Sequence, residues 1–270
     1  MMHYETLRDG FQIPKIGLGT WTIGGESSPD YSQDDALVDQ LQSIISMGYT
    51  HLDTAEMYAA NHTEELVGRA IADFDRDELF VTTKVWRTNL AYDNVHRALD
   101  ASLRRLGTDY VDLYLIHWPE PSIPLSETFR ALNEAAADGR VRRVGVSNFD
   151  VSLLKQSMEL CETPIMTNQV RYNLHHRQPE KNGVLEFCQQ NGIVLTAYCP
   201  LKDGVLSNKT VVDIARKVDA TPGQVAIQWL TRQPGVITIP KSLNKQHLQE
   251  NLDALELAFS EEEITQLARS

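Results

Sequence analysis

Short apolar runs alternate along the chain with stretches whose apolar residues return every three or four positions. Residues 49–53 (Tyr-Thr-His-Leu-Asp) have the character of a strand, and Leu66, Val67, Ala70 and Ile71 then mark a helix over 63–73. Residues 79–83 make the next strand, followed by helical repeats at Val95, Leu99, Leu103 and Leu106. The run at 111–116 and the repeats at Phe129, Leu132 and Ala136 continue the alternation. Further strands fall at 141–146, 165–170, 193–197 and 236–239, and 15–18 supplies a first one, which makes eight. Strands separated by helices in this way specify parallel βαβ units. Eight such units in a chain near the usual length of about 250 residues predict an α/β fold, the (β/α)8 TIM barrel. Ahead of it, 5–13 reads as an N-terminal β-hairpin turning at Asp9-Gly10, placed to plug the barrel floor. The competing architecture is an open doubly wound sheet, which usually carries G-x-G-x-x-G after its first strand. Gly17-Leu18-Gly19-Thr20-Trp21-Thr22 lacks the third glycine.

Composition narrows the setting. No linker, charge block or low-complexity tract divides the 270 residues, so 1–270 is read as a single domain. The net charge of -12 repels nucleic acid and anionic membrane, and neither is an expected partner. No apolar run approaches the roughly 20 residues of a membrane-spanning helix. The N-terminal residues, Met1-Met2-His3-Tyr4-Glu5-Thr6, show no signal-peptide pattern. Three cysteines, Cys161, Cys188 and Cys199, form no CxxC pair, which points to reduced thiols and a cytoplasmic location. Adjacent His175 and His176 lack supporting ligands, so no metal site is expected. His51, inside a strand, reads as structural, and the apolar stripe over 221–230 as packing.

In a barrel of this type the active site is built from the C-terminal ends of the strands. Those ends read, in order, Gly19-Thr20, Asp53, Lys84, His117, Ser147-Asn148, Gln169, Tyr198 and Lys241-Ser242. Any one of them is accounted for as a cap or turn residue. Together they make a polar ring on one face, costly to bury unless it serves a site. Asp53 and Tyr58 share the loop after the second strand, and Lys84 and His117 end the third and fourth. Gathered in one place, the four form a proton donor. A phenol with a pKa of about 10 is too weak an acid near neutrality. An ammonium beside it stabilises the phenolate, Asp53 holds that ammonium, and His117 binds the substrate oxygen. The proton goes to the alkoxide that forms as hydride reaches carbon. A second use of Lys84, as a Schiff-base lysine in a lyase, stays open at this point.

Three stretches carry a family resemblance. The first runs Gly48-Tyr49-Thr50-His51-Leu52-Asp53-Thr54-Ala55-Glu56-Met57-Tyr58 and continues at Glu64-Glu65-Leu66-Val67-Gly68. The second runs from Leu103-Arg104-Arg105-Leu106-Gly107 through Asp112-Leu113-Tyr114-Leu115-Ile116-His117-Trp118-Pro119. The third is Ile239-Pro240-Lys241-Ser242 with Glu250-Asn251. In these the chain resembles the aldo-keto reductase family over essentially its whole length. The resemblance implies that Asp53, Tyr58, Lys84 and His117 are the catalytic tetrad, with Tyr58 the general acid. It implies a nicotinamide cofactor lying across the barrel mouth without a Rossmann motif, near Gly19, Thr20 and Asp53. Ser147, Asn148 and Gln169 would bind the carboxamide, Tyr198 would stack on the ring, and Pro200 and Leu201 would lie near the pyrophosphate. Lys241 and Ser242 would meet the ribose phosphate, and Glu250 and Asn251 the adenine.

The chain departs from the family pattern in places. His247 stands where an arginine is usual, and an imidazole is no bidentate phosphate clamp. Lys241 still supplies charge, so NADP(H) is the expected cofactor, with NAD(H) usable. Cys199 and Asp203 stand where serines are common, and a carboxylate near a diphosphate is unfavourable. The segment 118–124 is short, which predicts an open pocket for a small carbonyl substrate, walled by Trp21, Trp86 and Trp118. The expected activity is reduction of an aldehyde or ketone. The alternative is a nicotinamide-binding regulatory barrel subunit without significant turnover. Nothing in the sequence fixes the oligomeric state, and a monomer suffices.

Overall fold

A computed structural model describes residues 3–269. Met1, Met2 and Ser270, which the 1–270 reading includes, lie outside the described residues. A hairpin comes first, β1 (Tyr4–Thr6) and β2 (Gln12–Pro14), antiparallel with Glu5 opposite Ile13. Its turn is the expected one: Gly10 takes φ +86°, and Leu7 N donates to Phe11 O at 2.9 Å. Strand β3 (Leu18–Gly19) leads to helix α1 (Asp34–Ser46), β4 (His51–Asp53) to α2 (His62–Ile71), and β5 (Phe80–Val85) to α3 (Tyr92–Leu106). Then follow β6 (Leu113–Ile116), α4 (Leu125–Ala137), β7 (Val144–Ser147), α5 (Val151–Leu160) and β8 (Ile165–Arg171). After α6 (Gln178–Lys181) and α7 (Val184–Gln190) come β9 (Val194–Tyr198), α8 (Lys209–Lys217), α9 (Pro222–Thr231) and β10 (Val236–Thr238). Helices α10 (Lys245–Asp253) and α11 (Glu261–Arg269) complete the described chain.

Strands β3 to β10 form one eight-stranded sheet in chain order. Its strands pair in parallel, with Gly19 opposite Asp53, Asp53 opposite Thr82, and Lys84 opposite Leu115. Ile16, just ahead of β3, bridges in parallel to Thr238 of β10, with Gly17 N donating to Thr238 O at 2.9 Å. The fold is the (β/α)8 barrel with an N-terminal hairpin. No helix among the described residues is long and apolar enough to cross a membrane.

Contacts group the chain into two compact units, one of residues 18–168, the other of residues up to Gly17 with those from Gln169 onward. In the first, the strands are buried along their whole length, Val81, Leu115, Val144 and Val146 among them. Helix α2 meets α3 at Gly68, where a Cβ would stand 2.3 Å from Arg105 O, so only glycine fits that approach. Beneath it the fully buried Glu64 accepts from Arg105 Nη2 at 2.6 Å, Ser102 Oγ at 3.2 Å and Thr83 Oγ1 at 2.5 Å. In the second unit, Leu7 and Ile13 of the hairpin are buried, and Lys15 Nζ pairs with Glu5 Oε2 at 3.1 Å. Helix α9 starts at a capping box, Thr221 with Gln224, and Pro222 at its first turn suits a position with no hydrogen bond to lose.

Directly after Tyr58 the chain makes an unusual turn. Ala59, Ala60 and Asn61 take φ of +45°, +51° and +84° in succession. A left-handed conformation costs a residue with a Cβ about 1–2 kcal/mol. Ala60 is exposed, so its methyl contributes little packing. Ala60→Gly is therefore expected to raise stability by about 1 kcal/mol. A urea midpoint at or below that of the unsubstituted protein would show that the turn is not strained.

Candidate active site

The structure gathers four of the sequence-selected residues within the unit of residues 18–168. Lys84 and Asp53 are almost fully buried, and Lys84 Nζ donates to Asp53 Oδ1 at 2.6 Å and to Thr54 O at 2.8 Å. The same ammonium lies 3.2 Å from Tyr58 Oη and 4.9 Å from the centroid of its ring. Burial works against the Lys84 charge. The Asp53 carboxylate and the Tyr58 oxygen outweigh it and hold its pKa above the usual lysine value. The imidazole of His117 meets the Tyr58 ring edge-on at 5.8 Å between centroids, and the Trp86 indole likewise at 5.1 Å. Burial, joined by the Lys84 charge, drives the His117 pKa down to about 2. His117 is therefore a neutral hydrogen-bonding group throughout the neutral range.

Local folding explains these placements. Thr20 follows β3, and both its N and its Oγ1 donate to Asp53 O, at 3.0 and 2.9 Å. Thr20, expected as a cofactor contact beside Gly19, thus braces the end of β4. Asn148 follows β7 with φ +62° and donates to His117 O and Ser147 Oγ, both at 3.0 Å. Asn168 exchanges bonds with Phe149 N and O across the same turn. Two residues differ from the expected strand ends. Lys84 sits inside β5, with Val85 after it, and Gln169 sits inside β8, which continues to Arg171. A charged or amide side chain ends an apolar run in the sequence, but it does not end a strand when its polar atoms find partners. Of the aromatic walls, Trp86 faces His117, while Trp21 and Trp118 are 44 % and 40 % exposed.

In the other unit, Tyr198 is the last residue of β9, and Cys199 turns the chain with φ +55° ahead of Pro200 and Leu201. Asp203 does not carry an uncompensated charge: it is ion-paired with Arg171 and accepts from Asn173 Nδ2 at 2.9 Å. The repulsion expected from it toward a diphosphate is offset within the protein. Lys241 is exposed beyond β10, and Ser242 Oγ accepts from Asn244 N at 3.1 Å. Asn244 caps α10 by accepting from the N atoms of Gln246 and His247. Glu250 accepts from Gln246 Nε2 at 2.8 Å, and Asn251 is buried. Among the described residues no cluster of potential ligands could hold a metal ion, and His175 is engaged by Asp203 O and Asn208 Nδ2.

Residues that the sequence reading did not single out include Glu56, buried beside the tetrad, and Asn168 behind Asn148. The sequence signal for Glu56 is its place between Asp53 and Tyr58 on the same loop.

The histidines give a pH signature. His51 is buried, with Nε2 3.2 Å from Thr82 Oγ1, and burial foremost lowers its pKa to about 4. The Lys84 charge lowers it further, and Asp53 works the other way. Histidines that stay neutral in the fold but take protons near pH 6.5 when unfolded stabilise it above that pH. The contribution is lost as pH falls toward about 4 for His51 and about 2 for His117. His62 has the opposite sign. Burial resists its charge, but bonds to Glu65 and Asp34 raise its pKa, so its contribution is complete below pH 6.5. Unfolding free energy is thus expected to fall between pH 6 and 4.5, with a slope of up to about 1.4 kcal/mol per pH unit for each neutral histidine. A flat urea-unfolding profile over that interval, or a His117 imidazole titrating near 6.5 by NMR, would contradict the placement of these rings.

Comparison with known proteins puts this arrangement in context. The model of the aldo/keto reductase family matches residues 15–270. A methylglyoxal reductase of Escherichia coli (strain K12) is 37 % identical over 265 residues, 96 % of this chain and 91 % of that protein. The crystal structure of a thermostable aldo-keto reductase in complex with the inhibitor epalrestat is 50 % identical, with a TM-score of 0.97 over 99 % of each chain. An aldo/keto reductase from Klebsiella pneumoniae, in complex with NADP and acetate, is 37 % identical with a TM-score of 0.89, covering all of this chain and 95 % of that one.

Proposed function

This chain belongs to the aldo/keto reductase family, and from that premise we propose that it reduces a small aldehyde or ketone to an alcohol with NADPH, Tyr58 being the proton donor. The observation that carries this reading is the buried Lys84 ammonium, 2.6 Å from Asp53 Oδ1 and 3.2 Å from Tyr58 Oη, beside a neutral His117. That set suits carbonyl reduction, because it donates a proton at one atom and stabilises the negative charge left there.

The residues present fit a nicotinamide cofactor. Ser147 and Asn148 bring a hydroxyl and an amide together at the end of β7, 3.0 Å apart, the chemistry a carboxamide requires. Gln169 and Tyr198 would complete the hold on the ring, with Pro200 and Leu201 toward the pyrophosphate. Lys241, Ser242 and His247 would take the ribose phosphate, and Glu250 and Asn251 the adenine. When bound, NADPH supplies the hydride that the carbonyl carbon accepts.

His117 then orients the carbonyl. Its Nδ1 is buried without a hydrogen-bond partner. A buried N–H is costlier to leave unpaired than a ring lone pair, so the ring proton belongs on Nε2, which donates to the substrate oxygen. Tyr58 Oη releases its proton to that oxygen as negative charge develops there. The Lys84 ammonium, held by Asp53, stabilises the resulting phenolate until solvent returns the proton. Lys84 is tied to Asp53 and Thr54, which suits a charge stabiliser better than an imine-forming amine. The exposed Trp21 and Trp118 suit uncharged carbonyls of modest size. All four catalytic groups come from one chain, so a monomer suffices. Three cysteines without a CxxC pair suit reduced thiols, in keeping with a cytoplasmic setting. The family likeness over nearly the whole length supports reading 1–270 as one domain.

A panel of aldehydes, ketones and dicarbonyls, run with NADPH and with NADH, tests the function. Turnover is expected with both, faster at low concentrations of NADPH than of NADH. A strong preference for NADH would mean that His247 in place of an arginine outweighs Lys241. Tight NADPH binding without reduction of any carbonyl would overturn the enzymatic reading.

A further inference from the structure

A closed circuit of contacts passes through the proton donor and the carbonyl-binding ring, and one of its links is Glu56. This residue lies three positions after Asp53 and two before Tyr58, and it is 6 % exposed. Its Oε1 accepts from the backbone N of Trp86 and, at 3.0 Å, from Asn89 Nδ2. Its own N donates to Lys84 O at 3.4 Å. The Trp86 indole abuts the edge of His117, and His117 abuts Tyr58. From Tyr58 the path runs through His117, Trp86 and Glu56, and returns along the backbone through Met57. A carboxylate is expensive to bury, and a neutral side chain would fill the same space at less cost. What the carboxylate adds is a charge-assisted bond to the Trp86 amide, roughly twice as strong as a neutral one.

We propose that Glu56 is a positioning residue: by gripping the Trp86 amide, its carboxylate sets the spacing of Tyr58 and His117, so that both reach one carbonyl oxygen. The assignment rests on the carbonyl-reductase reading for its catalytic consequence. Its electrostatics fit the role. Burial raises the Glu56 pKa, and the bonds from Trp86 and Asn89 pull it partly back. Glu64 of α2 adds to the rise and Arg105 of α3 opposes it, while the buried Tyr114 of β6 feels the Glu56 charge in turn. Protonation of Glu56 therefore weakens the grip at a pH above the ordinary carboxylate range, and turnover acquires an acid limb there.

Two variants and two readouts test this. In the cofactor-free protein, the Trp86 amide proton followed by NMR is expected to shift with a single carboxyl titration, which E56Q abolishes. With carbonyl and NADPH, E56A is expected to lower kcat about tenfold to a hundredfold, the penalty of a small misplacement of reacting groups. Its Kd for NADPH should stay within about twofold, since the loss falls on the transition state. E56Q, whose amide oxygen still accepts from both donors, should fall between E56A and the wild type in kcat and should lack the acid limb. A Trp86 amide indifferent to Glu56 would overturn the assignment. So would wild-type turnover in E56A, or NADPH affinity falling in step with kcat. A wild-type protein that reduces no carbonyl would sink the reductase reading, while the NMR titration would still decide whether Glu56 holds Trp86.

Discussion

Tyr58→Phe is expected to lower kcat by about 10² to 10⁴-fold, the range associated with a positioned general acid, with little change in the Kd for NADPH. The substitution removes one oxygen and leaves its surroundings in place. The Lys84–Asp53 bond at 2.6 Å does not involve the phenol. The ring itself, in edge contact with His117 and 4.9 Å from the ammonium, is preserved. The loss thus isolates proton donation from packing and from cofactor affinity. Single-turnover reduction of a reactive aldehyde, with a parallel cofactor titration, makes the measurement. A variant with near-normal kcat would dismiss Tyr58 as the acid and leave solvent to supply the proton.

Lys84→Met is expected to fail in two ways. Turnover falls at least as far as in Tyr58→Phe, because nothing remains to stabilise the phenolate. Stability falls as well, by up to about 3–5 kcal/mol, because the buried Asp53 carboxylate loses the ammonium that balances its charge. Only the second loss is repairable. Adding Asp53→Asn removes the stranded charge, so the double variant should regain most of the stability while remaining inactive. Urea unfolding and kcat on the two single variants and the double variant separate these effects. Should Lys84→Met prove as stable as the parent, the pair is not the buried ion pair described. Should the double variant turn over, the ammonium is not part of the proton donor.

The barrel was legible because most strands are short, largely apolar runs buried on both faces, and the alternation with helices admits few folds. Tyr58 and His117 were legible for a different reason: they sit in long, specific motifs. Boundaries were harder. Lys84 and Gln169 read as strand ends because charge and amide interrupt an apolar pattern, yet both lie within ladders. The Asp53 partner of Lys84 was expected from the gathered strand ends, but the bond to Thr54 O comes from a loop backbone that no side-chain pattern announces. Thr20 also donates its hydroxyl to Asp53 O, a bond between neighbouring strands that its place in the sequence does not signal. The compensation of Asp203 by Arg171 spans 32 positions. The left-handed run at Ala59, Ala60 and Asn61 has no glycine to signal it.

The bridge between Ile16 and Thr238 bears on how such molecules behave when crowded together. An open sheet presents a bare row of amides and carbonyls at each side, a template on which a neighbouring chain can add. Joining the first strand's approach to the last strand withdraws both rows from solution. Among the described residues that leaves the hairpin, whose strands have three residues each, as the sheet with a free margin. A margin so short offers little purchase for intermolecular strand addition, and the acidic surface repels a second copy before it can dock. Resistance to fibrillar self-association thus comes with the pairing of residues 16–17 to the last strand.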